Sequence, residues 1–254
     1  MYRLYRLVSN HLIKMNKPND NTKMKITHIL FDFDGTLVNT IDTIVNIVER
    51  IVTERNRQMT NEIRDFIPNM TSYRSLLNVI NEELNLQITL DEFKVDMLQK
   101  HLDADIKLMP GVKQLVEHLY HCHIPMAIAT GNSKSFYEVI SAKFGNFFPK
   151  HFHHCVCAYD DQEVANQKPS PDVYYIAAKR FPQPPVSMEN VLIFEDSMTG
   201  LKGAIASGAH TVFVTKNSSQ IQTKEHNELV KKTDLRLETL EQFDPKKFNL
   251  HSSE

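Results

Sequence analysis

Two carboxylates stand two residues apart in Phe31-Asp32-Phe33-Asp34-Gly35-Thr36, directly after the apolar run Ile29-Leu30-Phe31. A strand would turn Asp32 and Asp34 to the same side. Like charges that close repel each other unless a cation, a shared proton or a phosphate joins them. Gly35-Thr36 reads as a turn that breaks the strand, so the pair falls at a strand's carboxyl end, where open α/β sheets hold their ligands. Magnesium and phosphate chemistry fit such a pair. An Asp-x-Asp string at a strand end is also a common turn signal, so the reading needs partners elsewhere in the chain.

Three further segments supply them. Thr130-Gly131-Asn132 follows the apolar run Pro125–Ala129 and precedes a helical stretch. A hydroxyl with backbone N–H groups at a helix N-terminus forms an anion site, although an ordinary helix cap has the same composition. Lys168-Pro169-Ser170-Pro171-Asp172 sets a cation just ahead of a helix, and a solvated surface lysine is the alternative there. Glu195-Asp196-Ser197 follows Val191–Phe194. Adjacent acids after a buried strand suit Mg²⁺, which takes one or two carboxylates and keeps several waters. The chain has only seven glycines, and Gly35, Gly131 and Gly200 all lie in these segments.

Strands and helices alternate so as to bring these segments together. Residues 26–33, 125–129, 152–157, 191–194 and 211–214 read as strands; 110–122, 133–144, 171–181 and 197–207 read as helices. Repeated strand–helix alternation predicts a parallel sheet with helices on both faces. One insertion breaks the pattern. Residues 41–57 carry Ile41, Ile44, Val45, Val48, Ile51 and Val52 at helical spacing. The chain stays helix-like to about Lys107, with polar joins near Thr60 and Pro68-Asn69. This stretch is too long for a simple crossover and is expected to form a helical cap domain over residues 41–107, inserted after the first strand. The α/β core then spans 24–40 and 108–250, and 1–23 is a leader.

In order, the four segments offer a nucleophile, a hydroxyl, a lysine and an acid pair. This order resembles the four motifs of the haloacid dehalogenase-like superfamily, with its Rossmann-like core. A closer resemblance runs from about residue 25 to about residue 250. Glu82–Leu86, Leu108–Gly111, Ile124–Thr130, Ala177–Phe181, Val191–Asp196 and Phe243–Phe248 look like the pseudouridine-5′-phosphatase-like branch. The resemblance implies an Mg²⁺-dependent phosphatase acting on a small phosphorylated metabolite. It implies that Asp32 attacks phosphorus and that Asp34 is the acid and base. It implies that Thr130, Gly131, Asn132 and Lys168 hold the phosphoryl group. The Asp32 carboxylate, the Asp34 carbonyl and Asp196 would bind Mg²⁺, with Glu195 in support. Two departures bear on substrate choice: Asn39-Thr40-Ile41 replaces the usual Asp-Thr-Glu, and Met70-Thr71 aligns with a usual Gly-Arg. Sugar mutases of the superfamily use a histidine that aligns with Ile44, and its absence favours hydrolysis. A silent binding protein that kept the fold is the remaining rival.

Composition sets the outer limits. The 254 residues are 41% hydrophobic, enough for a core, and the formal net charge is −2. No long basic run calls for nucleic acid or an anionic membrane. No apolar run approaches the about 20 residues that a membrane helix needs. Cys122, Cys155 and Cys157 are too few and too uneven for a disulfide framework, so a reducing, cytoplasmic setting and a monomer are expected. Arg3, Arg6, Lys14 and Lys17 precede the first acid, Asp20, which is also the pattern of a mitochondrial presequence. His151–Cys157 mixes histidine with cysteine but reads as a strand, because no second ligand pair has zinc-site spacing.

Overall fold

The protein is described from a computed structural model covering residues 25–70, 72–215 and 223–250. The expected leader, 1–23, and Thr71 lie outside the described residues.

Six parallel strands form one sheet in the order β3-β2-β1-β4-β5-β6. They are β1 (His28–Phe31), β2 (Met126–Thr130), β3 (Cys155–Cys157), β4 (Val191–Glu195), β5 (His210–Val214) and β6 (Leu235–Leu237). Strand side chains alternate between faces, and here both faces of the central strands are covered, so β1, β2 and β4 are mostly apolar. Ile29, Phe31, Met126, Ile128, Leu192 and Phe194 point into one core. Leu30, Ala127, Ala129, Val191 and Ile193 point into the other. Burying a side chain such as Phe194, which has no exposed surface, contributes about 1.5–3 kcal/mol.

The helices follow from their caps and spacing. The insertion contains α1 (Thr40–Thr53), α2 (Asn61–Phe66), α3 (Tyr73–Leu84) and α4 (Leu90–Asp103). Asn39, Thr60, Ser72 and Thr89 accept backbone N–H groups at the four N-termini. Ile44, Ile47, Val48, Ile51, Ile63, Leu76, Ile80, Phe93 and Met97 close a separate apolar core inside the insertion. Its two connections run side by side: Asn39 N donates to Lys107 O and Met109 N to Leu37 O, both at 2.9 Å. The rest of the chain adds α5 (Val112–His121), α6 (Lys134–Ala142), α7 (Phe147–His151), α8 (Asp172–Lys179), α9 (Met198–Ala206) and α10 (Lys224–Val230).

Three differences from the sequence reading concern strands. The first strand spans 28–31, not 26–33, because Leu37 N and Val38 N both turn back to Phe33 O. Asp32 therefore extends the line of the strand by one residue, and Asp34 lies in the turn beyond it. The strand expected over 152–157 spans only 155–157, because Phe147–His151 forms a short helix whose Phe148 plugs into the core. β6 has no counterpart in the reading. It is three residues long with an exposed arginine, Arg236, at its centre, which is too little pattern to detect. No helix of the described residues is long and apolar enough to cross a membrane.

Candidate active site

Strand parity and strand ends assemble the site. Asp32 continues β1 by one residue, its N–H donating to Phe194 O at 3.0 Å. It shares the parity of Leu30, and Glu195 shares that of Val191 and Ile193, so both acids look toward the face covered by α8. Lys168 approaches from that face, in the loop before α8. Its ammonium donates to Asp32 Oδ1 at 2.6 Å, Glu195 Oε1 at 2.5 Å and Ala129 O at 3.0 Å. The Lys168 side chain is 9% exposed, so it is not a solvated surface lysine.

Asp34 faces the loop after β2. Asn132 donates its side-chain amide to Asp34 Oδ2, and the Thr130 hydroxyl reaches the same oxygen at 3.4 Å. Asn132 N donates to Thr130 Oγ1, which folds the loop, and Gly131 between them is exposed. The N-terminus of α6 already has acceptors from its own chain. Ser133 caps it, and the Asp160 carboxylate accepts from Lys134 N at 3.0 and 3.1 Å. The loop 130–132, and not the helix end, faces the carboxylates.

Asp196 completes the group. Thr36 donates to its Oδ1 at 3.1 Å. Gly35, at φ +78°, leaves room that a side chain would fill. Asp32, Glu195 and Asp196 each bring a carboxylate oxygen within 4.8 Å of the others. Of the four acids Asp32, Asp34, Glu195 and Asp196, two pair directly with the Lys168 ammonium, Asp32 and Glu195. Burial, with the neighbouring Glu195 charge, pushes the Asp196 carboxyl up to about 8. Burial also raises Asp34, against hydrogen bonding from Thr40 and Asn132 that favours its charged form. For Lys168, burial favours the neutral amine, but the Asp32 and Glu195 carboxylates outweigh it and keep the ammonium charged. An all-oxygen donor set with surplus negative charge fits a hard divalent cation such as Mg²⁺.

Two residues outside the four motifs also reach Asp34. The Thr40 hydroxyl is buried without a partner at normal hydrogen-bond distance, yet stands close enough to favour the charged Asp34. Tyr73, the first residue of α3, brings a phenol whose acidity is weakened by burial and by the Asp34 charge. Its ring packs edge-on against Phe93. Thr40, placed at the end of the core in the sequence reading, opens the first helix of the insertion, and Tyr73 lies within it far from Asp34 in sequence, so the sequence singles out neither as acting on Asp34. Among the described residues, His151–Cys157 forms no metal cluster. Cys155 and Cys157 sit with sulfurs 3.5 Å apart, and their neighbourhood and burial keep Cys155 a protonated thiol.

The segments that carry these residues fall within the reach of a family model. Residues 29–214 match the model of the haloacid dehalogenase-like hydrolases. The chain belongs to the haloacid dehalogenase-like hydrolase family. Among its relatives is a Drosophila melanogaster protein named probable pseudouridine-5′-phosphatase, 29% identical over 89% of this chain and 95% of the relative. Another is (DL)-glycerol-3-phosphatase 2 of Arabidopsis thaliana, 32% identical over 74% of this chain and 79% of the relative. A hydrolase of the same family from Deinococcus radiodurans, solved with phosphate and sodium, superposes with a TM-score of 0.72 at 17% identity. It covers 91% of this chain and 100% of its own, which shows the shared fold. The parallel α/β core expected from the sequence is the one observed, and this family member is an enzyme.

Proposed function

We propose that this hydrolase is an Mg²⁺-dependent phosphatase that cleaves a small phosphomonoester through an aspartyl-phosphate on Asp32. The observation that carries the reading is the convergence of Asp32, Asp34, Lys168 and the 130–132 loop at neighbouring strand ends. Relatives named as phosphatases support it.

The chemistry assigned to this chain's residues balances in two steps. An Asp32 oxygen forms a bond to phosphorus while the bond from phosphorus to the leaving oxygen breaks, and Asp34 gives that oxygen its proton. Asp34 then takes a proton from water, the hydroxyl oxygen bonds to phosphorus, and the bond to Asp32 breaks, releasing phosphate. Asp34 suits both roles because burial raises it and hydrogen bonds restrain it. Thr130, Asn132 and Gly131 N–H face the transferring oxygens, and Lys168 exchanges its Asp32 contact for one of them. The Asp32 carboxylate, the Asp34 carbonyl and Asp196 would hold Mg²⁺, with Glu195 behind them. When bound there, the ion offsets the acids' repulsion and spreads the charge of the phosphoryl group.

The helical insertion is assigned as a cap over this site, since Thr40, which opens its first helix, acts on Asp34 and the Tyr73 phenol feels the Asp34 charge. Ile44, where a mutase would need a base, is 4% exposed in the insertion's apolar core, which favours water as acceptor. The test is turnover of p-nitrophenyl phosphate by the purified full chain. Activity with Mg²⁺, abolished by EDTA and restored by fresh Mg²⁺, is expected. No turnover with Mg²⁺ across a panel of phosphomonoesters would leave a silent binding protein.

A further inference from the structure

Lys168 has three N–H donors, and each already has a protein acceptor: Asp32, Glu195 and Ala129 O. To hold a phosphoryl oxygen it must give up one of them. Asp32 is the one that phosphorus would claim, so the other two must keep the lysine in place during the exchange. Ala129 O is fixed by the sheet. Glu195 is a side chain, and something must fix it.

That something is Tyr174, in the first turn of the helix that follows Lys168. Its side chain is fully buried. The hydroxyl has one proton and two acceptors in reach, Glu195 Oε1 at 2.6 Å and Gly200 O at 3.1 Å. The nearer, charged acceptor takes it. The same ring lies beneath the lysine, 5.2 Å from Nζ to centroid, within cation–π range. Glu195 Oε1 thus receives both Lys168 and Tyr174, while Oε2 meets the Ser197 hydroxyl at 3.3 Å. Gly200 closes the slot, since a Cβ there would lie 2.1 Å from Glu195 Oε2.

We propose that Tyr174 is a positioning residue for phosphate binding: it holds Glu195, and through Glu195 and its own ring it holds Lys168, while Asp32 is released to react. This rests on the phosphatase reading for its consequence in catalysis, but the positioning itself does not. Without the hydroxyl, Glu195 keeps one strong donor and is free to turn toward the Asp32–Asp196 side. Lys168 then loses its fixed counter-charge and follows.

Tyr174→Phe in the full chain tests this, because it removes one oxygen and keeps the ring. Two readouts are needed besides melting temperature. One is the rate at which an amine-reactive acylating reagent labels Lys168, followed by mass spectrometry. The other is the affinity for inorganic phosphate with Mg²⁺ present. Lys168 is expected to label several-fold faster than in the wild type. Phosphate affinity should fall about ten- to a hundredfold, the worth of a hydrogen bond to a charged group. On a Glu195→Gln background the further effect of Tyr174→Phe should shrink, because residues acting as one unit are not additive. A lower melting temperature with unchanged labelling and unchanged phosphate affinity would overturn the proposal, as would full additivity with Glu195→Gln. If the wild type binds no phosphate and turns over no ester while Lys168 labelling still responds, the phosphatase reading falls and the positioning stands. Should Tyr174→Phe not fold, Glu195→Gln alone must accelerate Lys168 labelling, and an unchanged rate there sinks the idea.

Discussion

Gly35 and Asp196 come from turns far apart in sequence and approach so closely that a Cβ on residue 35 would lie 2.1 Å from Asp196 Oδ2. The contact locks the turn that carries Asp34 to the turn that carries the second acid pair. Gly35 also holds φ +78°, which other residues adopt at a cost of about 1–2 kcal/mol. Gly35→Ala should therefore fold but displace Asp196. A shift of about 1 Å near reacting groups costs on the order of 10²-fold in rate. Circular dichroism like that of the wild type, with turnover reduced by about that factor, is the expected result. Wild-type turnover would show that the placement of Asp196 does not matter.

Asp32→Asn is nearly isosteric and should leave the fold intact, since the amide oxygen can still accept from Lys168. It cannot attack phosphorus. Turnover and phosphate-labelled protein should both be absent. Lys168→Ala is a milder lesion at the same place, with a loss on the order of 10²–10³ in kcat, typical for one charge-stabilising group. Wild-type activity in the Asp32→Asn protein would remove Asp32 from the role of nucleophile.

Stability of the metal-free protein should depend on pH through Asp196. Its carboxyl is raised from the ordinary 3.8 to about 8 by burial and by Glu195. Between those values the folded state holds a proton that the unfolded state has lost, so stability falls as pH rises. The contribution is fully present below about pH 4 and is gone above about pH 8. Mg²⁺ favours the charged acid and should flatten this slope. Melting curves from pH 5 to 8.5, with EDTA and with Mg²⁺, measure the difference. Asp196→Asn should flatten the EDTA curve and weaken the response to Mg²⁺, and a metal-free slope unchanged in that variant would assign it to other acids.

Asn132 restrains Asp34 in its charged form, as does Thr40, so removing the amide should raise Asp34 further. In Asn132→Ala, Asp34 then stays protonated to higher pH. The alkaline limb of kcat/KM should move upward, for a substrate whose leaving group needs a proton, while the plateau falls. A limb that stays in place would mean that it reports another group.

The core of this site was legible because the fold encodes it by simple rules. Apolar runs two-faced in parity, each ended by a polar turn, point to a parallel sheet and to strand-end chemistry. Asp32, Asp34, Glu195 and Asp196 could be grouped that way, and Lys168 from its place just before a proline-opened helix. At the start of α6 the sequence shows a helix N-terminus but not that Asp160 of the same chain accepts from Lys134 N there. The Tyr174 hydroxyl was invisible for a different reason. A tyrosine among Val173, Ile176 and Ala177 reads as core, and only the structure shows its one polar atom on Glu195. Thr40 and Tyr73 depend on how the insertion sits against Asp34, which no local pattern states.

The insertion also carries the least settled property, the leaving group. Met70 stands in the loop before α3 where a glycine of the pseudouridine-5′-phosphatase-like branch is expected, and it packs on the insertion's apolar core. The aligned arginine is replaced by Thr71, too short to reach as far. A site built to hydrogen-bond one substrate loses selectivity steeply when a polar partner disappears. The relatives named above differ in this respect, one named for a nucleoside phosphate and one for glycerol 3-phosphate. We therefore expect kcat/KM for pseudouridine 5′-phosphate to lie within about tenfold of that for other small monophosphates. Tyr73, whose buried phenol feels the Asp34 charge, is the insertion residue to test for contact with the leaving group. Tyr73→Ala should lower kcat/KM for the preferred ester by about tenfold, the worth of about 1.4 kcal/mol, and leave inorganic phosphate affinity nearly unchanged. The measurement is kcat/KM across a panel of phosphomonoesters in both proteins. A preference of several hundredfold for pseudouridine 5′-phosphate would overturn the expectation and place its recognition on other residues of the insertion.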